Sequence, residues 1–231
     1  PLVGYDRDGR PYPWAAESIT PGPNHQVWTI RLREGYTFHN GEPVTSDRYL
    51  AAWNYAAYEP NGQPNHYYFE LIEGYEELRS IGDEPPTATT LSGLTRIDDR
   101  TFTVTLREPS GEFASMLGAP AFYPLPAAAF HPDGRLVEDF PTAPIGNGPF
   151  QVRGSWQRGQ YVEVARYDNY AGERPRIGGL TFVSYGDPGQ AYADLRAGEL
   201  DLITEIPAEQ LAVAEAELGD RLLRPVSTSG Q

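Results

Sequence analysis

The chain has 231 residues, enough for one large lobe or two smaller ones, and carries 18 Lys+Arg against 32 Asp+Glu for a formal net charge of −14. That balance argues against nucleic acid and anionic membrane as partners, and the lack of any cysteine excludes disulfides, thiolate metal sites and cysteine nucleophiles. No apolar run approaches the roughly 18 residues of a membrane span, and Gly 24 with Pro 22 predicts many turns and short strands.

The chain opens without an initiator Met or a charged-then-apolar leader, which predicts a processed or excised form. Tyr5 to Arg10 reads as a hairpin-type turn, and Pro21-Gly22-Pro23-Asn24 as another. In Val27 to Arg33, the apolar Trp28, Ile30 and Leu32 alternate with Thr29, Arg31 and Arg33, the pattern of a strand with one wet face. Asn40-Gly41 is a turn pair. Thr45 to Asp47 then offers a capping hydroxyl and first-turn negative charge to a helix over about 46–58, marked by Tyr49, Ala52, Trp53 and Ala56. Asp98-Asp99 turns the chain into Thr101 to Arg107, where Phe102, Val104 and Leu106 share one face.

The Pro/Ala-rich stretch Pro120 to Pro132 reads as a crossing between two units, with a boundary near 126 that gives lobes of 1–126 and 127–231. Beyond it, Phe150 to Val152 and Tyr161 to Val164 alternate as short strands, and Leu180 to Val183 is an apolar strand. Asp187-Pro188 opens a helix whose inner face is assigned to Ala191 and Leu195 and which Gly198 stops. A strand over Leu200 to Ile203 is expected next, then a helix from Pro207 with Leu211, Ala214 and Leu218 on one face and Gly219 as its stop. The alternation implies an α/β class of mixed lobes.

Catalytic patterns are missing. His25, His39, His66 and His131 form no i, i+4 pair, so no metal is expected, and no Gly-x-Ser-x-Gly elbow occurs. Gly146-Asn147-Gly148 lacks the third glycine of a dinucleotide cradle and is followed by a strand, so no cofactor is expected. With 32 carboxylates, paired acids occur anywhere, and an acidic glycoside hydrolase stays open only as a minor alternative to a non-enzyme.

One block carries more. Trp28 to Asp47, a β-run ending in Leu32-Arg33, a Gly35-Tyr36 turn, Asn40-Gly41, Pro43-Val44-Thr45 and a helix-starting acid, closely resembles the signature of the family 5 extracellular solute-binding proteins, the peptide and nickel receptors of ABC importers. Pro13 to Ser18, Ile97 to Arg107, Gly146 to Phe150, Trp156, Asn169-Tyr170 and Ala197 to Asp201 resemble further family blocks, with Asn147 for the usual threonine and Ala171 for the usual tryptophan. The resemblance implies a periplasmic-binding-protein-like type II architecture. It makes 1–126 a domain II lobe and 127–231 the middle segment of domain I, with domain III and the outer segments of domain I absent.

It also implies a receptor that closes its lobes over a peptide or similar small solute and delivers it to membrane permease subunits. The location implied is a periplasm or, through a lipid anchor, the extracellular face of the cytoplasmic membrane. Oligosaccharide, haem or a nickel complex are alternative ligands in such a family. Cleft-wall candidates are His66, Tyr67, Tyr68, Phe122 and Tyr123, with Tyr67 and Phe122 expected to be partly exposed on one concave face.

Overall fold

A computed structural model describes residues 1–154 and 156–223; positions 224–231 of the second expected unit lie outside the described residues. Strands β1 (Val3–Tyr5) and β2 (Pro11–Pro13) pair antiparallel across the acidic turn at Asp6, whose carboxylate accepts from the Asp8 and Arg10 N–H groups. β3 (Ala16–Pro21) and β4 (Val27–Leu32) follow around the Pro21 to Asn24 turn, and then helix α1 (Ser46–Ala57). β5 (Leu94–Asp98), β6 (Thr101–Thr105) and the short helix α2 (Phe113–Met116) complete the first half. These strands form an antiparallel sheet in the order β3-β4-β6-β5.

The alternation in β4 and β6 decides the packing. Trp28, Ile30, Leu32, Phe102 and Val104 are buried on one face, and α1 lies over them. Tyr49 stacks on Phe102 at 5.8 Å between ring centroids, and Trp53 meets Phe102 edge-on at 5.6 Å. Around Trp53 the rings of Phe69 and Phe122 close in, and the buried indole N–H donates to the Phe122 carbonyl at 3.0 Å.

The start of α1 departs from expectation. Thr45 sits at the N-cap, but its side chain caps nothing, and Asp47 pairs with Arg96 instead. The Ser46 N–H, the first of the helix, is taken by the Asp99 carbonyl at 2.8 Å, so the β5–β6 turn satisfies one of the unpaired donors at the helix start. The Ser46 and Tyr49 hydroxyls are buried and have no partner among the described residues.

The second half contains β7 (Phe150–Val152), β8 (Tyr161–Arg166) and β9 (Gly179–Val183), an antiparallel sheet in that order, then α3 (Pro188–Ala197) and α4 (Leu211–Leu218). As expected, the Asp187 carboxylate caps α3 by accepting from Gly189 N–H at 2.9 Å, and Gly198 ends it at φ +82°. The inner face is led by buried Tyr192, with Ala191 and Leu195 only half-buried.

The expected strand over Leu200 to Ile203 does not form. Leu202 is 67% exposed, while Ile203 and Ile206 turn onto a small cluster of Tyr192, Ala214 and Leu218. Ile203 and Ile206 serve helix packing, and the segment has no strand partner among the described residues. Leu211, assigned to the buried face of α4, is exposed for the same reason: only Ala214 and Leu218 reach that cluster. Segment 127–145 runs along the first half, since Glu42 accepts from Ala127 N–H and Phe130 packs edge-on against Tyr55 at 5.4 Å.

Candidate functional site: a tyrosine wall and the joint beside it

Two regions collect the distinctive residues. The first is a joint between the two halves. The 38–42 turn is closed by Phe38 N–H to Glu42 O at 2.8 Å and by Gly41, at φ +84°, donating to Phe38 O. This aims His39 at the 146–148 turn. His39 N–H donates to Gly146 O at 2.8 Å, Gly146 N–H returns a bond to the His39 Nδ1 at 3.2 Å, and Nε2 lies 3.0 Å from Gly148 O. Because Nδ1 accepts, the neutral ring carries its proton on Nε2 and donates it to Gly148. Burial holds the imidazole below its usual pKa.

Aromatic residues extend the joint. Tyr167 lies edge-on to His39 at 4.9 Å, donates from its hydroxyl to Phe38 O at 3.1 Å and meets Thr37 Oγ1 at 2.9 Å. Tyr170 stands perpendicular to Tyr36 at 5.9 Å and accepts from the Trp14 indole at 2.8 Å. Burial and the neighbouring Tyr170 hydroxyl push the Tyr36 phenol up to about 12. Four sequence blocks that stand far apart thus interlock here through Trp14, Tyr36 to His39, Gly146 to Gly148, and Tyr167 to Tyr170. Sequence reasoning treated the blocks separately, and the only signal of their meeting was that each had a pattern of its own.

The second region is the tyrosine wall. Tyr67 is 51% exposed and stacks on half-buried Tyr68 at 4.8 Å, and Tyr68 stands edge-on to Phe122 at 6.0 Å. Phe122 itself is 0% exposed, locked among Trp53, Phe69 and Phe113, so its expected place on the cleft wall is corrected: it supports the wall from behind. Tyr123, next in chain, is 38% exposed and lines a groove of about 470 Å³ with Tyr55, Asn65, Phe140 and several prolines. Burial, with the nearby Tyr5 hydroxyl, raises the Tyr123 phenol. Tyr5, at the start of the first turn, is anchored by its hydroxyl to the Ser115 carbonyl.

His66 faces elsewhere. Its Nδ1 meets the Tyr75 hydroxyl at 2.6 Å with the two rings nearly parallel, and Arg79 donates to the same hydroxyl at 3.0 Å while reaching Glu59. The structure therefore stacks Tyr67 on Tyr68 against Phe122, sets Tyr123 in the adjoining groove and ties His66 into a neighbouring ionic network. Among the described residues no group of three or more His, Asp or Glu converges as a metal site.

The family model described as bacterial extracellular solute-binding proteins, family 5 middle, matches residues 10–230. The nickel-binding periplasmic protein of Escherichia coli is 30% identical over 88% of this chain, and the dipeptide-binding protein DppE of Bacillus subtilis 26% identical over 96%. The crystal structure of Haemophilus influenzae OppA in complex with RPPGFSPFR superposes at a TM-score of 0.81 over 94% of the chain, with 27% identity. The chain spans 35% and 38% of those two relatives and 42% of that OppA chain.

Proposed function

The chain belongs to the bacterial extracellular solute-binding proteins of family 5, and from that premise we propose that it forms part of a receptor that captures a short peptide between lobes and hands it to the membrane permease of an ABC importer. Its place is a periplasm or the outer face of the cytoplasmic membrane, held there by a lipid anchor in the latter case. It works by binding and not by turnover, since the family consists of binding proteins.

The observation that carries this reading is the joint. The His39 turn, the Gly146 to Gly148 turn and the Tyr36–Tyr170 and Trp14–Tyr170 contacts fasten one half of the chain to the other through short backbone turns. A receptor that closes over its ligand needs rigid bodies with a defined junction. The likeness to a peptide-bound OppA favours peptide over the other solutes. On this reading Tyr67, Tyr68 and Tyr123 line the mouth of the cleft and offer amphipathic rings to a peptide held mainly by its own backbone, with Phe122 behind them and His66 held beside them by Tyr75 and Arg79. The boundary between lobes is put at the Pro-rich stretch near residue 126, with 127–145 laid back along the first lobe before Gly146 to Pro149 form the joint.

Native mass spectrometry of the protein with equimolar dipeptide, tripeptide and nickel–histidine probes tests it. Retention of a peptide as a 1:1 complex is expected; retention of nickel–histidine alone would replace peptide with metal complex as the cargo.

A further inference from the structure

On the other side of Tyr55 from the tyrosine-wall groove, a second groove of about 780 Å³ runs between α1 and the hairpin closed by the Phe130–Leu136 bridge. That volume lies in the range of small-molecule sites, and the peptide reading makes no use of it. We propose that this groove binds a neutral saccharide.

Charge is the first argument. The chain carries −14, yet the arginines lining this groove are each matched by a carboxylate: Arg48 Nε lies 3.1 Å from Glu42, and Arg135 Nε lies 2.8 Å from Asp133. His131 is likewise paired, with Glu138 at 3.0 Å. An ionic ligand finds no unmatched countercharge and would have to break one of these pairs. A neutral ligand disturbs none of them.

Unspent hydrogen-bonding capacity is the second. Asn54 uses its Oδ1 to accept from Leu91 N–H at 2.8 Å, and its Nδ2 protons meet no partner among the described residues. Asn61 uses Nδ2 to donate to Tyr55 O at 2.8 Å, and its Oδ1 meets no partner among the described residues. The Tyr58 hydroxyl, which both donates and accepts, has no partner among the described residues. Beside these lie the faces and edges of Tyr55 and Phe130, packed edge-on at 5.4 Å. Both donors and acceptors beside an aromatic wall, with the charges paired, match a ring whose hydroxyls do both and whose C–H face is apolar.

Saturation-transfer NMR on the 231-residue chain tests this, with glucose, maltose, cellobiose and glucose 6-phosphate as probes, trialanine as competitor, and circular dichroism to confirm that variants fold. Transfer to maltose or cellobiose ring protons is expected, reduced at least threefold in Asn54→Asp, which keeps the acceptor for Leu91 N–H and removes the amide donors, and in Tyr58→Phe, and undisturbed by trialanine. Four results overturn the proposal: no transfer to any neutral sugar, transfer unchanged in both variants, preference for glucose 6-phosphate, or displacement by trialanine, which would move the sugar into the peptide cleft. A failure of peptide capture with sugar transfer intact would leave this inference standing and remove only the peptide reading.

Discussion

The Trp14 indole N–H donates to the Tyr170 hydroxyl at 2.8 Å across 156 positions of sequence, and Tyr170 in turn stands perpendicular to Tyr36 at 5.9 Å. One tyrosine thus ties the strand-entry segment, the signature turn and the second half of the chain. Tyr170→Phe removes only the acceptor and is expected to cost about 0.5–1.5 kcal/mol, whereas Tyr170→Ala also strips the ring packing and costs about 3 kcal/mol or more. Urea unfolding measures both. Equal losses in the two variants would mean the ring contributes nothing to the joint.

His39 gives the joint a pH dependence of known sign. Its folded-state pKa is lowered by burial, so the neutral form is favoured and the stabilisation is fully present above the unfolded value near 6.5. As pH falls through 6.5 toward the lowered folded value, that stabilisation is lost, because a proton on Nδ1 would face the Gly146 N–H donor to donor. His39→Gln is expected to destabilise by about 1–2 kcal/mol at pH 7.5 through the lost backbone bonds, and the gap to the native protein should narrow at pH 5. A gap that widens on acidification contradicts this assignment.

Neighbouring aromatic residues should behave in opposite ways. Phe122→Ala empties a site enclosed by Trp53, Phe69 and Phe113 and is expected to cost about 3–5 kcal/mol. Tyr67→Ala, half exposed, should cost under about 1 kcal/mol and act on ligand affinity instead. Thermal melts beside binding titrations separate the two effects; a destabilisation by Tyr67→Ala comparable to that of Phe122→Ala would place Tyr67 in the core.

What was legible in the sequence follows from how far each pattern reaches. Alternation at Trp28, Ile30 and Leu32 and helical spacing at Tyr49, Ala52 and Trp53 are local, and so are the Asp187 cap and the Gly198 stop; each matches the structure. The Thr45 cap does not form because the Arg48 N–H turns to the Thr45 backbone carbonyl at 3.1 Å, and Asp99, more than fifty positions away, takes the first helical N–H. The Leu200 to Ile203 strand failed because an apolar run does not reveal whether a ladder or a helix will cover it. At the candidate site, Phe122 and Tyr123 are adjacent aromatics, and nothing in their sequence says which one turns inward. The joint depends on pairings more than a hundred positions apart and leaves no periodic trace.

Two glycines with positive φ separate backbone strain from crowding. A Cβ on Gly74, at φ +89°, would stand 2.3 Å from the Ser92 backbone nitrogen, while one on Gly82, at φ +62°, meets open space. Gly82→Ala is expected to cost about 1 kcal/mol and Gly74→Ala clearly more, about 3 kcal/mol or above, since backbone must move. Chemical denaturation of the pair decides, and equal losses would mean that the loop carrying Ser92 yields freely.

Solute capture without chemistry is tested most directly by isothermal calorimetry of the protein against a mixed library of short peptides, with mass spectrometry of the ligand afterwards. The expected result is a saturable 1:1 heat, weakened at least fivefold in a Tyr67→Ala, Tyr123→Ala double variant that still melts as the native protein does, with the peptide recovered intact. No heat with any peptide, or a peptide recovered cleaved, would contradict the receptor account.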